Sequence, residues 1–406
     1  MTPHPDREKP PSAARVWLAG VGPLLLVGAM TWWFLSSGVG WLRLGGVAIE
    51  KLAIERVVFR PQEVVLKVRN EGPGPLSVGQ LLVNDAIWDF SITPGREIGR
   101  MKGATLSIPY DWLPGEPYVF TIVSATGIKH SRTVALATMT PSASPRSFLI
   151  FGALGAYVGV IPVFLGLLWL PFLRAMPRTW MDFWLSLTIG LLLFLGVDTL
   201  KESVEILGRV AAYWNGVMLV TLGVVGAFFS LNGVGRVLTA RSSAAGAGAS
   251  ARPSGMALAT LIAIGIGLHN LGEGLAIGAA YTLGEVALGS FLIVGFTLHN
   301  TTEGLAILSP LVGGKASLRD LGILGLLGGG PTILGAWAGA FTYSDPLSLV
   351  FLGIGAGAIF QVVRVLARGK AEGGEPVIES LSRPHNAAGL LAGFVIMYAT
   401  SLLVAG

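Results

Sequence analysis

Residues 256–310 read MALATLIAIGIGLHNLGEGLAIGAAYTLGEVALGSFLIVGFTLHNTTEGLAILSP, and two features of this stretch decide how the chain is built. It contains two apolar runs, 256–281 and 286–310, split by a short turn. Each is long enough, at about 1.5 Å rise per residue, to cross a hydrocarbon core roughly 30 Å thick. The runs also repeat each other. Gly265–Ile277 and Gly295–Ile307 are related by a shift of 30 residues and agree at 9 of 13 positions. The shared polar part is His269-Asn270-x-x-Glu273-Gly274 against His299-Asn300-x-x-Glu303-Gly304.

Similar apolar runs fill the rest of the chain, at 16–36, 148–173, 183–206, 211–235, 318–342, 346–367 and 386–404, which makes nine expected spans. Composition agrees. Of 406 residues 52% are hydrophobic and 13% charged, against roughly 25% charged in soluble proteins. The 57 glycines suit helices packed through small residues. Collagen is excluded because no G-X-Y period exists, and disorder because the apolar content is too high. With no cysteine there can be no disulfide, thiolate nucleophile, Fe–S cluster or thiolate zinc site. The net charge of +5 lies mostly in loops and gives no nucleic-acid footprint.

Lysines and arginines set the orientation. With the N-terminus inside, the inner segments hold Arg7, Lys9, Arg15, Arg174, Arg178, Arg236, Arg241, Arg252, Lys315, Arg319, Arg364, Arg368, Lys370 and Arg383; the short outer loops and adjoining helix ends contribute Lys201 and Arg209. This expectation describes a multi-pass protein of the cytoplasmic membrane. Residues 1–43 read as an inner tail and an uncleaved anchor, since the first span is longer than a signal h-region and no clean cleavage site follows.

Residues 44–145 differ. Period-2 runs such as Glu63–Arg69 and Tyr118–Val123 alternate with Gly/Pro turn clusters at 70–75 and 113–117. About seven short strands predict an Ig- or cupredoxin-like β-sandwich on the extracytoplasmic side. A copper centre needs a His/Cys ligand set, and the domain has His130 alone, so binding an unidentified partner or a structural role is expected of it. Residues 146–406 form the main membrane domain, with a flexible Ala/Gly/Ser-rich inner linker at 242–254.

The chemistry is in the repeat. Within each motif His and Glu are i and i+4, on one helical face. Both histidines fall near mid-span of consecutive, hence antiparallel, helices, so His269, Asn270, Glu273, His299, Asn300 and Glu303 can converge at the bilayer centre. His269, Glu273, His299 and Glu303 are the only Asp, Glu, Lys, Arg or His in these two spans, and an acid there costs roughly 2.5–3.5 kcal/mol on insertion scales. One such motif could be explained as hydrogen-bonding glue between helices; two at one depth fit a metal site better. Imidazole with carboxylate suits Zn²⁺, Fe²⁺, Mn²⁺ or Co²⁺.

Asp198, Glu202 and Glu205, on one face at the outer end of 183–206, read either as a solvated edge or as a cation-gathering mouth. Gln361 reads as a packing residue or an accessory ligand. An intramembrane metalloprotease would need H-E-x-x-H, which is absent here. A metal sensor signalling through the β-domain remains the alternative to a transporter.

On the paired H-N-x-x-E-G motifs the chain resembles the ZIP (Zrt/Irt-like) divalent metal transporters. Gly190…Asp198-Thr-Leu-Lys-Glu202, Gly355-Ala-Gly357-Ala358 and Gly393…Met397-Tyr398 add to the resemblance, which covers about residues 148–406. It implies an α-helical polytopic membrane protein with an eight-helix ZIP-like bundle. It also implies passage of a divalent cation, as substrate rather than cofactor, into the cytoplasm by alternating access. A homodimer in contact with membrane lipid is a further implication. Two departures stand out. Gly328-Gly329-Gly330-Pro331 lacks the Glu that many members carry before this proline, and Gln361 and Arg364 stand where acids are common.

Overall fold

The computed structural model describes residues 13–37, 50–177, 180–208, 210, 214–244, 255–283, 286–314, 316–370 and 375–405. The expected inner tail before residue 13, and the linker from 245 to 254, lie outside them. The N-terminal unit, Met1–Ile49, holds helix α1 (Ala13–Ser37), which contains Pro23. Its described apolar stretch, Val21–Trp33, is solvent-facing along most of its length.

The second unit begins with nine strands in two antiparallel sheets. One sheet runs in the order β1 (Leu52–Arg60), β2 (Glu63–Asn70), β7 (Gly103–Ile108), β5 (Ser91–Thr93). The other runs β4 (Ala86–Ile87), β3 (Leu76–Val83), β8 (Tyr118–Ser124), β9 (Lys129–Val134), with β6 (Glu97–Ile98) beside β3. Strand alternation turns Val64, Leu66, Leu106 and Ile108 of the first sheet, and Leu76, Leu81, Phe120 and Ile122 of the second, into one buried core. The count exceeds the expected seven or so, and two of the nine, β4 and β6, are only two residues long. His130 is half-buried and its Nδ1 accepts from Leu52 N at 3.4 Å; burial lowers its pKa below the ordinary imidazole value. Its surroundings offer packing and a backbone donor.

The remainder is helical: α2 (Pro145–Gly155), α3 (Ile161–Leu167), α4 (Leu170–Ala175), α5 (Met181–Leu207), α6 (Gly216–Ala244), α7 (Gly255–Leu283), α8 (Val286–Leu308), α9 (Leu318–Gly329), α10 (Pro331–Thr342), α11 (Asp345–Lys370), α12 (Val377–Leu381) and α13 (Pro384–Ala405). Among the described residues seven segments are long and apolar enough to cross a membrane. Large apolar side chains such as Leu149, Leu222, Phe229 and Val395 stay exposed on them, as a lipid-facing surface requires. The chain is a multi-pass membrane protein.

Seven of the nine expected spans are matched among the described residues, and the other two fall on helices α1 and α8. Helix α1 is continuous over 25 residues and helix α8 over 23. Two expected single helices are interrupted. Span 148–173 is divided by a π-helical turn, Ala156–Val160, just before Pro162. Span 318–342 is divided at Gly330-Pro331 into α9 and α10. In both places a proline removes the N–H that would continue the ladder.

Close backbone packing explains the glycine content. At Gly274 an added Cβ would meet Thr332 O of α10 at 2.1 Å, and at Gly304 it would meet Val163 O of α3 at 2.3 Å. Both glycines directly follow the motif glutamates. The sixth motif position is thus a packing requirement, letting α7 and α8 back onto neighbours while their polar faces meet.

Candidate metal centre

Helices α7 and α8 bring their repeated motifs face to face. Ligand atoms from His269, Glu273, His299 and Glu303 all lie within 4.8 Å of one another, and all four residues are buried. Asn270 and Asn300 are fully inaccessible. The structure therefore brings together all six residues read from the repeat.

The contacts cross reciprocally. Asn270 Nδ2 of α7 donates to Glu303 Oε2 of α8 at 2.9 Å, and Asn300 Nδ2 of α8 donates to Glu273 Oε2 of α7 at 2.9 Å. Glu273 Oε1 faces His269 Nε2 at 3.1 Å and is also in contact with His299 Nε2. Glu273 thus holds both imidazoles and one amide, whereas Glu303 holds one amide.

Each asparagine is aimed by a carbonyl released at a helix break. Asn300 Nδ2 also donates to Val158 O at 3.0 Å. Val158 lies in the π-helical turn, and Pro162, four residues on, has no N–H to offer it. Asn270 Nδ2 also donates to Gly328 O at 3.1 Å, beside the α9–α10 break at Pro331. With both amide N–H groups engaged, each Oδ1 is left as the unengaged atom of its amide.

Those oxygens have no partner. Asn270 Oδ1, Asn300 Oδ1 and Glu303 Oε1 are buried and unbonded among the described residues. All three are acceptors, and leaving a buried acceptor unmet costs about 1–3 kcal/mol each. Three acceptor oxygens around two imidazoles and a second carboxylate form a nitrogen–oxygen donor set with a deficit of positive charge. A divalent cation satisfies it chemically, matching the hard-to-borderline metals named from the sequence.

The other candidates divide. Asp198 and Glu202, on α5, are half-buried; the charge of Glu202 acts on His269 and Glu273, and that of Asp198 on His299. Glu205 is exposed and pairs with Lys201 at 3.7 Å. The acids thus grade from surface to centre along one helix. Gln361 is not in the centre. Its Nε2 donates to Asn232 Oδ1 at 3.1 Å and its Oε1 accepts from Arg364 at 3.2 Å, which makes it a link between α6 and α11. Gly355, by contrast, lies against His269, where an added Cβ would come within 3.1 Å of the histidine Cα.

Sequence reading missed the two carbonyls and Thr199, whose Oγ1 lies 3.2 Å from His269 Nδ1. Pro162 and Pro331 were the available signals for the carbonyls. Thr199 was visible only as a neighbour of Asp198.

No protein-family model matches the chain, and no curated protein matches it.

Proposed function

We propose that this protein is a carrier for a divalent transition-metal cation, zinc foremost, with Fe²⁺, Mn²⁺ and Co²⁺ as alternatives. The supporting observation is the buried His269/Glu273/His299/Glu303 cluster, together with the unbonded acceptor oxygens of Glu303, Asn270 and Asn300. On this reading the ZIP resemblance of residues 148–406 is one of kinship. The cation enters past Glu205, Glu202 and Asp198, binds at the midplane, and leaves toward the cytoplasm after α7, α8 and the helices packed on them move against the rest. The β-sandwich and α1 are additions to that core.

The centre should hold one ion. Glu273 and Glu303 offset one M²⁺; asparagine and neutral histidine add ligand atoms without charge. A second M²⁺ would leave about two positive charges uncompensated by the ligand set in a poorly screening interior. No acid is supplied at Gly330, where an added Cβ would meet Leu326 O at 2.5 Å. Equilibrium dialysis of purified protein against Zn²⁺ should return one high-affinity ion per chain. Two tight ions, both lost in Glu273→Gln, would show the charge count to be wrong; no tight ion would remove the metal reading.

Orientation is tested separately. Lys129, exposed on β9, and Arg319, exposed at the start of α9, can each be replaced by cysteine in a chain without native thiols. An impermeant maleimide should label Lys129→Cys in intact cells and Arg319→Cys after permeabilisation only. The opposite pattern would invert the transport direction.

A further inference from the structure

Behind the centre, on α5, stands Thr199, 2% exposed. A threonine hydroxyl has one proton to donate. Here Oγ1 donates to Leu195 O at 2.8 Å, one turn back along the same helix. Its second contact, 3.2 Å to His269 Nδ1, can then only be one in which the hydroxyl accepts. The hydrogen of that contact must come from the imidazole, so His269 carries it on Nδ1. The opposite nitrogen, Nε2, faces Glu273 and the other ligands.

We infer that Thr199 is a positioning residue for the metal centre: pinned to Leu195 O, its hydroxyl holds His269 in the Nδ1–H form and fixes the ring so that the Nε2 lone pair is presented to the ion. The inference rests on the metal reading above. A ligating imidazole needs its other nitrogen engaged, which sets tautomer and ring orientation together. Three elements confine this ring. Thr199 is at Nδ1, Gly355 of α11 lies close enough that a Cβ would sit 3.5 Å from Nδ1, and Glu273 is on the ligand side.

The arrangement is not repeated with the motif. Among the described residues no side chain engages His299 Nδ1 in this way; its ring has Phe296 edge-on, with centroids 5.3 Å apart. The two histidines, equivalent in sequence, are therefore held differently, one by a hydrogen bond and one by an aromatic edge. The difference comes from α5, outside the repeat.

The test is Zn²⁺ affinity of the purified full-length protein, measured by competition with a chromophoric chelator, for the wild type and for Thr199→Val, Thr199→Ser and Thr199→Ala. Val keeps the shape without the hydroxyl, and Ser keeps the hydroxyl on a smaller side chain. Losing the outer partner of a metal-binding histidine should weaken affinity about 10–100-fold in Val and Ala, and Ser should restore most of it. Zn²⁺-loaded protein labelled with ¹⁵N-histidine should show a protonated Nδ1 on His269 in the wild type and in Ser. Wild-type affinity in Val or Ala would overturn the inference, as would a Ser variant as weak as Val. A wild type that binds no Zn²⁺ would instead remove the metal reading, and this inference with it.

Discussion

Glu273→Gln should lower Zn²⁺ affinity by more than ~100-fold, equivalent to about 2.7 kcal/mol or more, and should also lower thermal stability. The carboxylate is 4% exposed and anchors three partners: His269, His299 and Asn300. Glutamine keeps the size and loses the charge that offsets the ion. It also puts an NH₂ group on one side of the carboxyl, and at the Oε2 position that group would meet Asn300 Nδ2 donor against donor. Glu303→Gln should separate the two effects. Its Oε2 accepts from Asn270 while Oε1 has no partner, so an amide can keep the one bond and place its NH₂ in the unbonded position. Folding should survive and binding should not. Calorimetric binding and thermal melts on both variants check this. Equal loss of stability in both would mean the centre is hydrogen-bonding glue, and unchanged binding in either would remove that carboxylate from the ligand set.

The second large effect should come from a methyl group that touches no ligand. Gly274→Ala places a Cβ 2.1 Å from Thr332 O and 2.8 Å from Ala336 N, where ordinary contact begins near 3.4 Å. Helices α7 and α10 would have to separate by about 1.3 Å. Overpacking of this kind costs typically about 1–3 kcal/mol, and here the displaced helix carries His269, Asn270 and Glu273. Zn²⁺ affinity should fall about 10–100-fold in whatever fraction folds. Gly226→Ala, where nothing lies within 4 Å, is the matched control on α6 and should be silent. If the two variants behave alike, the motif glycine is not a packing requirement.

These effects show what could be read from the chain and what could not. Polar residues repeated every 30 positions inside apolar runs have few interpretations, and the i, i+4 spacing put His and Glu on one face before any contact was known. The β-region was legible for the same reason, since period-2 alternation follows from strand geometry. What escaped was set by the third dimension. Pro162 and Pro331 were visible as residues, but the carbonyls at the helix breaks beside them, Val158 O and Gly328 O, matter only because Asn300 and Asn270 pack opposite them. Thr199 was an ordinary helical threonine until α5 came against α7. Gln361 had the right chemical type for a ligand, yet its neighbours Asn232 and Arg364 engage it elsewhere.

Transport, rather than binding alone, is the central claim, and flux tests it most directly. Wild-type protein and Glu303→Gln should be reconstituted into vesicles loaded with a zinc-sensitive dye, with Zn²⁺ added outside. The account predicts time-dependent accumulation in wild-type vesicles above that in empty ones, and none above empty vesicles for Glu303→Gln. Wild-type protein that binds Zn²⁺ tightly but never fills the vesicle, or Glu303→Gln that fills it at the wild-type rate, would contradict it.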